Sequence, residues 1–174
     1  MVVTSEKAQP KKWGGGGVST RVEQRGKNLK GELHFEDRAQ FDEDVQPLIV
    51  GVNVWVNKNN SIVGIQAIYL NKQELRYGIK SCDAADGMIR RFDLQNPDYL
   101  KNLTMTVNSD GFVESISLYS KQGKVGKFGN KREVDENINF GIASNERPFM
   151  FQGASTLFEG EPRLNLFGVE ICNE

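Results

Sequence analysis

The chemistry open to this chain is bounded by one histidine, His34 in ELHFED, and two cysteines, Cys82 and Cys172. A Ser–His–Asp or Cys–His arrangement would have to draw on His34, and neither cysteine stands in a nucleophile-like context. His34 therefore reads as a solvated or hydrogen-bonded loop residue. A structural zinc site needs more His or Cys than the chain holds. Asp42, Glu43 and Asp44 carry the oxygens that calcium takes, but lack the spacing of a calcium loop, so they read as a solvated turn. Nothing singles out a pair of carboxylates for glycoside chemistry. The expectation is no enzyme, no catalytic residues, no metal and no cofactor.

The glycines are the next feature. WGGGG (13–17) concentrates residues that lose the most backbone freedom on folding. A phosphate loop would need a preceding strand, a Gly-Lys-Ser/Thr ending and a following helix; VSTRVEQ follows instead. GKVGKFG (123–129) reads as a turn before a strand. The basic pairs Arg90–Arg91 and Lys131–Arg132 are isolated solvated faces. Trp13, Trp55, Tyr69 and Phe112 read as core or edge aromatics, and any exposed one offers a face to a pyranose ring.

The elements that position these residues read as short strands. LIVGVNVWVN (48–57) alternates, with Val50, Val52, Val54 and Val56 on one parity and Ile49 and Trp55 on the other. KNNS (58–61) is a turn signal, and SIVGIQAIYLN (61–71) is rich in β-branched and aromatic residues, so 48–71 reads as a hairpin. YLKNLTMTVN (99–108), the turn SDG, and FVESISLYS (112–120) repeat the pattern. RPFMFQG and RLNLFGVEIC close the chain. Roughly ten to twelve strands with frequent turns suit a sandwich, barrel or prism. Three apolar hairpin blocks, about 50 residues apart, hint at three similar sheets around an axis.

The bulk numbers suit one domain: 174 residues, 38% hydrophobic and 26% charged. A formal net charge of −1 supplies no field for nucleic acid or an anionic membrane. No apolar run approaches a membrane span, and the start MVVTSEKAQPKKWGG has no apolar signal-peptide core. An intracellular location, in cytoplasm or organelle, is the expectation, with reduced Cys82 and Cys172. Residues 1–12 read as a flexible tail, and 13–174 as the domain, with 18–40 as an insertion.

Several segments together resemble the jacalin-related lectins. Trp13 with its glycines is similar to that family's W-G-G opening, and FDE (41–43) to its early Phe-Asp-Asp turn. IVGIQAIYLN carries Gln66 and Tyr69 at the family's spacing. Asp98-Tyr99-Leu100 stands in the Glu-Tyr-Ile place, GFVESISLYS resembles the turn and Ser-Leu strand, and FQG with LNLFGVEI resembles the closing segment. The ordered set spans 41–171.

That resemblance implies an all-β fold, a β-prism of three four-stranded Greek-key sheets with pseudo-threefold symmetry. It also implies metal-independent carbohydrate binding at one end of the prism. Carried over by position, the candidate contacts are Gly16 and Gly17; then Gly111, Phe112 and Val113; then Gly160 to Asn165. A carboxylate accepts from adjacent sugar hydroxyls and backbone N–H groups donate back, while glycines let the ring approach the backbone. The chain departs from the pattern at this end. Asn165 replaces the family's aspartate, one residue further from Gly160 than the pattern has it. GASTLFEG (153–160) is lengthened, and so is the segment between the glycines and FDE. Two readings follow: a lectin-like module of altered specificity, binding a mannose- or galactose-type glycan, or a prism that has lost sugar binding and serves as an accessory subunit of a larger protein assembly. Homo-oligomerisation fits either reading.

Overall fold

The computed structural model describes residues 6–8, 21–29, 32–82 and 87–174, with Glu6–Ala8 as backbone alone. The chain runs through β1 (Glu6–Ala8), β2 (Arg21–Gly26), β3 (Leu33–Glu36), a 3-10 turn (Asp37–Gln40), β4 (Leu48–Val56), β5 (Ile62–Asn71) and β6 (Glu74–Tyr77). It continues through β7 (Met88–Asp93), β8 (Leu100–Val107), β9 (Val113–Ser120), β10 (Val125–Gly129), β11 (Glu136–Asn139), β12 (Glu146–Phe158) and β13 (Glu161–Asn173). These make three antiparallel sheets around a common core, the β-prism expected from the resemblance.

Two sheets have the orders β6-β5-β4-β7 and β10-β9-β8-β11. In each, a hairpin gains a third strand beside its second and a fourth beside its first, which is the Greek-key order. The third sheet, β1-β2-β13-β12-β3, repeats that order with hairpin β12–β13 at its centre, but its flanking strands come from the other end of the chain. It has five strands rather than four, because Glu6–Ala8, in the segment read as a tail, pairs with Arg21–Gly26. The segment 18–40, read as an insertion, supplies β2 and β3 to this sheet.

Strand alternation fills the core. Leu103, Met105 and Val107 of β8 and Ile116 and Leu118 of β9 all point inward. In β4 the parity expected from the sequence changes once. A bulge between Ile49 and Gly51 leaves Val50 without a counterpart on β5. One extra residue flips the faces, so Ile49 joins Val52, Val54 and Val56 in the core. Trp55 lies on the opposite side, capped by the Lys80 ammonium 4.6 Å from its ring centroid.

A polar network locks the 3-10 turn into the prism. The Tyr69 hydroxyl donates to Asp37 Oδ2 at 2.5 Å and accepts from the Phe151 N–H at 2.9 Å. The Ile79 N–H donates to Asp37 Oδ1 at 2.7 Å. Arg38 is buried beside Glu170, its Nε 3.2 Å from Oε2, with the guanidinium over Phe149. Burial pushes the Asp37 carboxyl up from 3.8 to about 6, against the lowering effect of the Tyr69 and Ile79 hydrogen bonds. Cys82 and Cys172 are buried, and no disulfide joins them. Among the described residues no helix is long and apolar enough to cross a membrane.

Candidate carbohydrate site

The β8–β9 turn is built by one side chain. Asn108 Oδ1 accepts the N–H groups of Asp110 at 2.9 Å and Phe112 at 3.0 Å, tying the loop to its own start. Gly111 closes the turn at φ +90°, where an L side chain is strained. A Cβ there would also stand 2.4 Å from Lys27 Cβ, so the Lys27 side chain covers this glycine.

The next residue brings in the second locus. The Phe112 ring, only 4% exposed, tilts against Phe158 with centroids 5.0 Å apart. The Arg163 guanidinium sits 5.3 Å from the Phe112 centroid and donates to Glu114 Oε1 at 3.0 Å. Phe158 and Arg163 flank the tip of hairpin β12–β13, whose two-residue connection is Glu159 at φ +52° and Gly160 at φ +80°. Positive φ at both central residues is the tight turn that matches strand twist. The stretch 153–160, read as lengthened, is therefore part of a hairpin that projects past β2 and β3, with a register shift between Ala154 and Ser155 that leaves Asn165 without a counterpart on β12. Gly160 is exposed at its tip. The Val113 side chain belongs to the core, so only its backbone faces the turn.

Asn165 lies at the third locus and is 0% exposed. Its Nδ2 donates to the Lys27 carbonyl at 2.7 Å and to Glu32 Oε2 at 2.6 Å. Its backbone carbonyl accepts from the Lys27 N–H at 2.9 Å. The Asn165 side chain thus fastens the segment after β2 to β13, and no described group partners its Oδ1. The β2 end approaches so closely that a Cβ on Gly26 would stand 2.2 Å from the Asn165 carbonyl oxygen. Gly16 and Gly17 lie outside the described residues.

The structure adds a carboxylate that sequence reasoning passed over. Glu32 Oε2 accepts from Asn165 and from the Leu29 N–H at 3.0 Å, while Oε1 lies 2.9 Å from His34 Nε2. The Glu32 side chain is 11% exposed and that of His34 64%. An acidic side chain therefore stands beside Asn165, where the resemblance expects an aspartate. No spacing rule links residue 32 to residue 165, so the charge supplied from the lengthened segment carries no sequence signature. His34, read as a loop residue, is a solvent-facing partner of that carboxylate.

The arrangement brings Gly111, Phe112 and Asn165 to one end of the prism through shared contacts with Lys27, Phe158 and Arg163. It gathers hydrogen-bond donors, acceptors and the 40% exposed Phe158 ring. Among the described residues no group of three or more His, Cys, Asp or Glu could hold a metal ion.

No protein-family model matches the chain, and no curated protein matches it by sequence. Solved structures do match by shape. The chain is similar to a mannose-binding lectin from champedak at a TM-score of 0.65 and 18% identity, over 88% of this chain and 97% of that one. It is similar to artocarpin complexed with methyl-α-mannose at a TM-score of 0.60 and 14% identity, over 82% of this chain and 91% of the lectin. Recombinant single-chain jacalin aligns at a TM-score of 0.64 and 18% identity, over 87% and 93% of the two chains. Likeness at such identities is likeness of fold, and this chain has the β-prism fold of the jacalin-related lectins.

Proposed function

We propose that the chain is a carbohydrate-binding module whose contacts centre on Glu32 and the tip of hairpin β12–β13, with Asn165 holding Glu32 in place. The observation that carries this reading is the Glu32 carboxylate 2.6 Å from Asn165 Nδ2, at the prism end where Gly111 meets Lys27 and Phe112 meets the hairpin. Asn165, Leu29 and His34 take about three of the roughly four acceptor positions of the carboxylate, leaving one on Oε1 for a sugar hydroxyl, and charge-assisted bonds are about twice as strong as neutral ones. Phe158, 40% exposed and packed on Phe112, offers an apolar edge at the hairpin tip. The solved lectins of this fold include a mannose-binding protein and a methyl-α-mannose complex, which makes mannose-type and galactose-type glycans the first to test. A glycan array followed by calorimetry gives the test. Binding that falls at least tenfold in Glu32→Gln supports the reading; an empty array and no heat at millimolar sugar overturn it.

A second reading has its own observation. Asn165 is fully enclosed and Lys27 covers Gly111, so the segment after β2 occupies the space beside the inherited positions. A prism so filled would serve as an accessory subunit of a protein assembly. Size-exclusion chromatography of native extract separates the two: elution with a large complex favours the subunit, and elution at 19.5 kDa counts against it.

A further inference from the structure

The sheet β10-β9-β8-β11 carries a groove of about 250 Å³ on its outer face, lined by residues other than those of the prism-end site. Register builds it. Asn137, Thr106 and Ser115 align in one cross-strand row, and Asn139, Thr104 and Ser117 in the next. Met105 and Ile138, which alternate with these residues, belong to the core, so the hydroxyls and amides face outward. Lys131 stands at the rim.

The polar groups in this groove are underused. Thr106 Oγ1 and Ser115 Oγ lie 2.6 Å apart and are buried, 4% and 9% exposed. One hydrogen serves the bond between them. The other hydroxyl hydrogen has no acceptor among the described residues, and both side chains line the groove. A buried donor left unmade is costly, so this hydrogen is served by water or by a ligand in the groove. The Thr104 and Ser117 side chains are half-buried and Asn137 and Lys131 are exposed, so these groups are open to water or to a ligand. At about 30 Å³ per water, the space equals on the order of eight waters, or one small ring.

We propose that this groove is a second binding site, for a compact polyhydroxyl ligand bearing an acidic group, of which a uronic acid sugar unit is the simplest. Ring hydroxyls both donate and accept, as do the Ser, Thr and Asn groups that face them. Lys131 pairs with the ligand's carboxylate, and the groove lining contains no Asp or Glu to repel it. The absence of an aromatic wall means the sugar binds through its hydroxyl edge rather than by stacking. This site is independent of the reading given to the prism end.

Titration of the isotope-labelled protein with glucuronate, and separately with glucose, tests it by backbone amide NMR. The expected result is shifts concentrated at 104–106, 115–117 and 137–139, with glucuronate about threefold tighter than glucose. Lys131→Gln should abolish that preference. The double variant Thr104→Val with Ser117→Ala should weaken both ligands about tenfold while leaving the thermal midpoint unchanged, since both residues face outward. Shifts confined to 108–112 and 157–163 would overturn the second site while supporting the prism end. No shifts at high ligand concentration, or a charge preference that survives Lys131→Gln, would also overturn it.

Discussion

Replacing Asp37 with asparagine should change how stability depends on pH, and the change can be worked from the buried network. In the folded chain the Asp37 carboxyl titrates near 6, against an ordinary value of 3.8 that the unfolded chain is taken to share. Below about pH 4 both states are largely protonated and burial of Asp37 is least costly. As pH rises from about 4 to 6 the unfolded state releases its proton first, so the folded state binds more protons and stability falls. Above 6 both are ionised and the cost is constant. Each tenfold difference in proton affinity is worth about 1.4 kcal/mol, so the full span is about 3 kcal/mol. The amide introduced by Asp37→Asn cannot titrate. It also sets an N–H₂ against the Tyr69 hydroxyl or the Ile79 N–H, a pH-independent cost of about 1–3 kcal/mol. The stability difference between variant and wild type should therefore move by about 2–3 kcal/mol in the variant's favour between pH 4 and pH 7. Urea unfolding followed by Trp fluorescence and circular dichroism measures it, because the other titrating groups are shared and cancel in the difference. A difference constant to about 0.5 kcal/mol across that range would refute the claim that Asp37 is held up by burial.

Other outcomes follow from single contacts. Tyr69→Phe leaves the Phe151 N–H and one Asp37 oxygen without their partner and should cost about 2–4 kcal/mol in chemical denaturation. Gly111→Ala combines positive φ with a 2.4 Å approach to Lys27 Cβ and should cost about 1–3 kcal/mol, read from the same curves. Asn165→Asp places a second carboxylate against Glu32. It should lower the thermal midpoint at neutral pH through a penalty of about 2–4 kcal/mol, with recovery as the solution is acidified.

The fold is largely legible in the sequence, because its signals are local and repeated. The alternation of β8 and β9, the KNNS and SDG turns, and the β-branched run of β5 each predict what they form. The β4 parity misled at Ile49, since a bulge leaves no mark in a pattern of apolar residues. The pairing of Glu6–Ala8 with Arg21–Gly26 was also hidden, because two polar edge segments show no hydrophobic period. At the prism end, motif spacing brought the right loops together but not the state of their side chains. Asn165 was named from the offset to Gly160, and its enclosure depends on Lys27 and Glu32, more than 130 residues away. Phe112 reads as a core or edge aromatic and is a candidate sugar contact only by the resemblance; Phe158 and Arg163 cover it. Long-range contacts of this kind decide whether a loop is open, and they follow from topology rather than from neighbours in sequence.

The third sheet joins opposite ends of the chain, with Arg21 opposite Ile171 and Gly26 opposite Leu166. During synthesis at about 5–20 residues per second, β2 must wait on the order of ten to thirty seconds for its neighbour. The two other sheets can assemble from contiguous sequence in that interval. The waiting segment carries Arg21, Glu23 and Arg25, charges that discourage pairing with a stray strand. Its charge pattern thus guards the edge that β13 takes last, the other edge being the one that pairs with β1.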